Sequence, residues 1–162
     1  MPSLPKPSLP LSRRALLLSA AAAAALPALP AVAAGPAIHV AKDPNCGCCT
    51  DWIGILEQAG FAVTVQEMDP DSLQRHKTAL GIPAQMASCH TGTLDGYALE
   101  GHVPVADIRR LLAERPDALG LAVPGMPYGA PGMGPESARE AYDVHLIRKD
   151  GTTEVFTHYP AA

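Results

Sequence analysis

The chain has 162 residues, of which 48% are hydrophobic, 17% charged and only 4% aromatic, with a formal net charge of −4. That length gives one domain at most, and the acidic balance excludes the basic footprint of a nucleic-acid-binding protein. Four cysteines, three of them in Cys46-Gly47-Cys48-Cys49, have to be accounted for as disulfides, metal ligands or redox groups.

Residues 1–33 read as a secretory signal. Lys6, Arg13 and Arg14 form a basic start, Ala15 to Leu26 an apolar run, and Ala31-Val32-Ala33 a cleavage site. The run is too short and alanine-rich for a membrane span, which needs about 20 apolar residues. Ser12-Arg13-Arg14-Ala15-Leu16-Leu17 resembles the twin-arginine export pattern, although paired arginines also occur in Sec signals. Cleavage near Ala33 leaves a mature domain, 34–162, in the periplasm with no membrane span of its own. It carries nine basic and sixteen acidic residues, a formal net charge of −7.

Along that domain, Ile38-His39-Val40 predicts a short strand. A helix follows from about Cys46 to Ala59, ending at Gly60, with Cys49, Trp52, Ile53 and Leu56 on one apolar face. Phe61 to Val65 is a second strand. Asp69-Pro70 supplies an N-cap and a proline at the first helical position for a second helix, which stops at Leu80-Gly81. Gln85 to Thr91, carrying Cys89-His90, and Tyr97 to Glu100 predict two strands joined across Gly92–Gly96. Pro104 opens a third helix with Val105, Ile108, Leu111 and Leu112 inward. Gly120 to Gly134 holds too many Gly and Pro for helix or central strand, and is expected to be a mobile loop with few packed side chains. Lys149-Asp150-Gly151 between Val144–Ile147 and Glu154–Thr157 predicts a terminal hairpin. The order β-α-β-α-β-β-α gives an α/β fold with a thioredoxin-like core (βαβ then ββα), extended by a Gly/Pro/Met-rich loop and a C-terminal β-hairpin.

The helix start is where the chemistry concentrates. Free N–H groups and the positive dipole end stabilise thiolate there. On a regular helix Cys48 would point about 200° away from Cys46, so convergence of the three sulfurs is expected to rely on Gly47 adopting a positive φ. Cys46 and Cys49 form a C-x-x-C pair suited to disulfide exchange, but Cys48 offers a rival partner to such a pair. Adjacent cysteines also fit poorly with the spaced ligands of a four-cysteine zinc site. Soft thiolates with thioether or imidazole nearby suit Cu(I). Cys89 is expected beside the helix start as a fourth sulfur; His90 joins it only if the backbone bends there. His102 at the next helix start and Met126 and Met133 on the Gly/Pro loop complete the candidate metal ligands. The bland reading of both methionines is that they anchor the loop. His39, His76, His145 and His158 read as structural or surface residues.

Four motifs in order carry a resemblance: C-G-C-C at a helix start, S-C-H-T-G, G-Y-A-L-E-G-H-V-P, and G-L-A-V-P-G-M-P-Y-G-A-P-G-M. Together, from about Ile38 to Phe156, they resemble the CopG-type family of exported copper-resistance proteins. The resemblance implies a thioredoxin-like fold, a periplasmic setting, copper bound through the cysteines and a role in copper tolerance. The matching positions are Cys46, Cys48, Cys49, Cys89, His90, His102, Met126 and Met133. The expected function is Cu(I) binding, of one or more ions, with other periplasmic copper-handling proteins as candidate partners. The alternative is a thiol-disulfide oxidoreductase using Cys46 and Cys49. Copper binding need not involve catalysis, and thiol or copper redox chemistry is compatible with the same residues.

Overall fold

The computed structural model describes residues 35–162; the leader expected over 1–33 lies outside the described residues. Seven strands form one sheet in the order β2-β1-β3-β4-β5-β6-β7. They are β1 (Ala37–Lys42), β2 (Ala62–Glu67), β3 (His90–Leu94), β4 (Tyr97–Glu100), β5 (Gly120–Ala122), β6 (Tyr142–Ile147) and β7 (Thr153–Tyr159). Among the described residues three α-helices accompany them: α1 (Gly47–Gln58), α2 (Pro70–Ala79) and α3 (Val105–Glu114). β1 pairs parallel with β2 and antiparallel with β3, which pairs antiparallel with β4. β5 lies parallel to β4, and β6 and β7 follow antiparallel. No helix among the described residues is long and apolar enough to cross a membrane.

The larger core lies on one face of the sheet. Ile38, Val40, Leu99, Leu121 and Leu146 meet Trp52, Ile53 and Leu56 of α1 and Ile108 and Leu111 of α3. The i, i+3, i+4, i+7 spacing of Cys49, Trp52, Ile53 and Leu56 puts all four inside, as expected. Burial of Ile53 and Leu56 alone is worth about 1.5–3 kcal/mol each. A smaller cluster of Ile82, Met86, Ala98, Ala122 and Ile147, with Leu80, lies on the opposite face below the end of α2. Asp69 caps α2 by accepting from Ser72 N at 3.0 Å, with Pro70 at the first helical position.

Two expectations need correction. Gln85 to Ser88 is not strand: Ala84–Met86 forms a 3-10 turn, β3 begins only at His90, and Gly92 lies inside β3 while the turn is Asp95-Gly96. Gly120–Ala122 is strand, and a central one, held between β4 and β6. The Gly/Pro richness begins only at Pro124, and Gly120 permits the pairing. A Cβ there would lie 1.8 Å from the Ala98 carbonyl oxygen, so only glycine lets the two backbones approach this closely. Through β5 the terminal hairpin becomes part of the main sheet.

Candidate metal centre

Asp43 starts the local structure of the first bank of candidate ligands. Its side chain accepts from Asn45 N at 2.7 Å and its carbonyl from Cys46 N at 3.1 Å, turning the chain into α1. Cys46 is the N-cap, in extended backbone (φ −79°, ψ 99°), and no acidic residue occupies the first turn to offset the positive helix end. Cys46 and Cys49 are joined in a disulfide, and Cys48 Sγ lies 3.5 Å from Cys46 Sγ. The convergence does not use Gly47 as expected. Gly47 is helical, does not take a positive φ, and a Cβ on it would meet nothing within 4 Å. The extended backbone of Cys46, outside the helix, turns its sulfur toward Cys48 instead.

The second bank is assembled from separate segments. Cys89 stands in a bend immediately before β3, so it and His90 escape the alternation of strand side chains and both reach inward. Cys89 Sγ is 3.4 Å from His90 Nδ1 and 3.2 Å from His102 Nε2. His90 is fully buried, its ring 4.3 Å from that of Trp52, and its Nε2 has no hydrogen-bond partner. His102 Nδ1 donates to the Pro131 carbonyl at 2.7 Å. A carbonyl only accepts, so in the neutral ring Nδ1 carries the hydrogen and Nε2 faces Cys89 with its lone pair.

A buried carboxylate holds this bank in place. Glu100 Oε1 accepts from Lys77 Nζ at 2.5 Å and from Ser88 N at 2.6 Å, while Oε2 accepts from Thr91 Oγ1 at 2.6 Å. Lys77 also donates to Thr91 Oγ1 at 2.8 Å. Glu100 thus grips the residues on both sides of Cys89-His90, and the bend cannot relax without breaking those bonds. Sequence reading placed Glu100 within a motif but gave it no role. The signal was available: a lone acid closes the apolar run Tyr97-Ala98-Leu99, in a strand buried at every position.

The Gly/Pro loop roofs the site. Far from having few packed side chains, it buries Val123 and Ala130 completely. Turns close it from Met133 N to the Ala130 carbonyl at 2.8 Å and from Gly129 N to the Met133 carbonyl at 2.8 Å. Gly132, at φ +82°, lies so close to α1 that a Cβ would be 2.8 Å from Trp52 N and 3.0 Å from the Cys48 carbonyl oxygen. That contact places Pro131 over His102. Met126, by contrast, is 56% exposed, and Met133 is half-buried. His39 and His158 sit elsewhere, bonded to Thr64 and Gln66 and to Asp143 respectively.

The ligand atoms of Cys46, Cys48, Cys49 and Cys89 lie within 4.8 Å of one another, and so do those of Cys89, His90 and His102. Cys89 joins the two groups. Its thiol is pushed up to about 11, first by burial and then by the neighbouring Cys48, so it holds its proton until a cation displaces it. Burial lowers both imidazoles; His102 and Lys77 push His90 down further, while the bond to Pro131 partly opposes the shift at His102. Both rings are therefore neutral at pH 7, the form that ligates a metal.

Residues 86–133 match the family model described as a protein of unknown function, DUF411. No curated protein matches the chain. Among solved structures, "Copper resistance protein copG", Form 1, is 48% identical, superposes with a TM-score of 0.73, and is matched over 78% of this chain and 99% of its own. Form 2 of the same protein gives 48% identity and a TM-score of 0.72 over the same shares. The chain belongs to the CopG copper-resistance family. Of the clustered residues, Cys89, His90 and His102 lie inside the family model and Cys46, Cys48 and Cys49 ahead of it.

Proposed function

We propose that the protein is exported to the periplasm and binds copper there as Cu(I), contributing to copper tolerance. The observation that carries this reading is the convergence of four cysteine sulfurs within 4.8 Å of one another, three from the start of α1 and one from the bend before β3. Once the Cys46–Cys49 disulfide is reduced, four thiolates exceed what one two- or three-coordinate Cu(I) ion uses, and bridging sulfur allows more than one ion. His90 and His102 stand beside the sulfurs as further ligands, and Met126 and Met133 are thioether candidates on the roof. The order β2-β1-β3-β4, with its parallel and antiparallel pairs, supports a thioredoxin-like core. Residues 1–33 are the signal and 34–162 the functional domain on this reading, and intact mass of the periplasmic form checks it. A full-length chain recovered from membranes counts against it.

One observation favours a second reading. Cys46 and Cys49 are joined at the helix start, with Cys46 partly accessible and Cys49 buried, as attacking and resolving thiols of an oxidoreductase are arranged. Cys48→Ser separates the two. In anaerobically reduced protein titrated with Cu(I) against a chromophoric chelator, the copper reading expects Cu(I) stoichiometry or affinity to fall in the variant while the fold persists. Wild-type copper uptake together with unchanged disulfide reductase activity would transfer the assignment to the oxidoreductase.

A further inference from the structure

We infer that Lys42 is the counter-cation of the sulfur centre: a buried ammonium with no carboxylate of its own, placed to offset the negative charge of the reduced thiolates. Lys42 is not a metal ligand, and this role rests on the copper reading above.

Among the described residues two lysines are buried, Lys77 at 3% and Lys42 at 4% exposure, and only the first is paired. Lys77 Nζ has the Glu100 carboxylate at 2.5 Å and the Thr91 hydroxyl at 2.8 Å. Lys42 Nζ has a single acceptor for its three hydrogens, the Pro44 carbonyl at 3.4 Å, and no ion pair among the described residues. The acids nearest along the backbone are engaged or outside. Asp43 accepts from Asn45 N, and Glu67, opposite Lys42 on β2, is exposed. A buried charge without a partner is costly. A merely structural position gains by losing it, because an uncharged side chain of similar length fills the same space.

The placement gives the charge its use. Lys42 ends β1, its cross-strand neighbour on β3 is His90, and Cys46 follows four residues on. Ile38 and Val40 pack with Trp52, so strand alternation turns Lys42 to the face that α1 covers. Its Nζ folds back onto the turn that leads into α1. After burial, His102 and Lys77, the Lys42 charge also lowers His90, so it is felt inside the second bank. The positive end of α1, with no acidic residue in its first turn, adds to it. Two positive elements therefore meet at the sulfurs with no carboxylate between them.

Reduction of Cys46–Cys49 gives four thiols that can lose their protons to metal, where the closed disulfide leaves only Cys48 and Cys89. Each Cu(I) returns one positive charge to four thiolates, so a centre holding fewer than four ions is anionic. Lys42 offsets that excess in the reduced, loaded protein and is a net cost in the oxidised, metal-free one. The two states are expected to respond to its loss with opposite signs.

Two variants test this. Lys42→Met removes the charge and keeps the length, whereas Lys42→Gln removes the charge and can still donate to the Pro44 carbonyl. In metal-free protein with the disulfide closed, the urea midpoint of Lys42→Met is expected at or above that of wild type. In protein reduced anaerobically with a phosphine and titrated with Cu(I) against a chromophoric chelator, both variants are expected to bind about tenfold more weakly, or worse. A residue needed only for packing would lower both quantities together, and that result overturns the role. Wild-type Cu(I) affinity in Lys42→Gln overturns it too, since the hydrogen bond and not the charge would then matter. If Lys42→Met is unfolded by circular dichroism, Lys42→Gln alone decides by its Cu(I) affinity. Wild type that takes up no Cu(I) defeats the copper reading and this role with it, whereas equal uptake by wild type and both variants defeats this role alone.

Discussion

The two banks of the centre reach similar proximity by opposite means. The first is local: Cys46, Cys48 and Cys49 sit within four residues, at a helix start whose geometry is set by its own cap and turn. The second is tertiary: Cys89, His90 and His102 are brought together by a bend, a buried ion pair and a carbonyl from a loop about thirty residues further on. The first bank is a property of a peptide segment. The second exists only when β3, β4 and the roof are all in place. Damage to the packing should therefore silence the second bank while sparing the thiol chemistry of the first, and each experiment below presses on that asymmetry.

The largest effect is expected at Glu100. Glu100→Ala leaves the Lys77 ammonium buried without its carboxylate, orphans Ser88 N and takes the acceptor from the Thr91 hydroxyl hydrogen. Breaking a buried pair by removing one partner costs about 3–5 kcal/mol, read as a fall in the urea midpoint. Replacing both partners, as in Lys77→Met with Glu100→Gln, should recover much of that stability without restoring wild-type metal binding at Cys89. If Glu100→Ala folds with wild-type stability and binds metal normally, the second bank does not depend on its clamp.

Gly132→Ala comes next. The added Cβ meets backbone of α1 at 2.8 Å, at a φ of +82°. Strain of that kind costs about 1–3 kcal/mol, and relief must come from lifting the roof, Pro131 included. The expected result is weaker metal binding at His102 with the count of accessible thiols unchanged. An equal loss of Cys46–Cys49 disulfide exchange would mean that the roof serves both banks.

Gly47→Ala points the other way. Its backbone is helical and its surroundings are open, so alanine should be neutral or stabilising by up to about 1 kcal/mol, with Cu(I) uptake unaltered. A fall in Cu(I) stoichiometry would restore to Gly47 the hinge role that the geometry denies it.

The smallest effect belongs to a control outside both banks. Asp69 caps α2, which carries Lys77, and hydrogen bonds from Ser72 hold its carboxyl below the usual 3.8. A depressed carboxyl contributes stability that is complete above the unfolded value and is lost as pH falls through the lower folded value. Asp69→Ala should therefore lower the urea midpoint slightly at pH 7, and the gap to wild type should close on acidification below that range. Metal binding should not change.

The same asymmetry decided what the sequence disclosed. α1, α2, α3, β4 and the terminal hairpin were legible because each is announced locally, by Gly60 at a helix end, by Asp69-Pro70, by Pro104 or by Lys149-Asp150-Gly151. The proximity of the first bank was legible for the same reason, although its mechanism was misassigned to Gly47. β5 was missed because three residues before a Gly/Pro run carry almost no periodicity, and their strand character comes from neighbours on both sides. Cys89, His90 and His102 were named from residue type and resemblance. The forces that aim them, Glu100, Lys77 and the Pro131 carbonyl, act across the fold and leave no spacing to read.

Trp52 is the chain's single tryptophan, its ring 4.3 Å from His90 and its indole N–H fixed to the Val103 carbonyl at 2.9 Å. All tryptophan emission from this protein thus originates in van der Waals contact with one prospective ligand of the second bank, from a ring that cannot reorient freely. The molecule contains its own optical gauge: an ion arriving at His90 changes the light from its one tryptophan, with no label added.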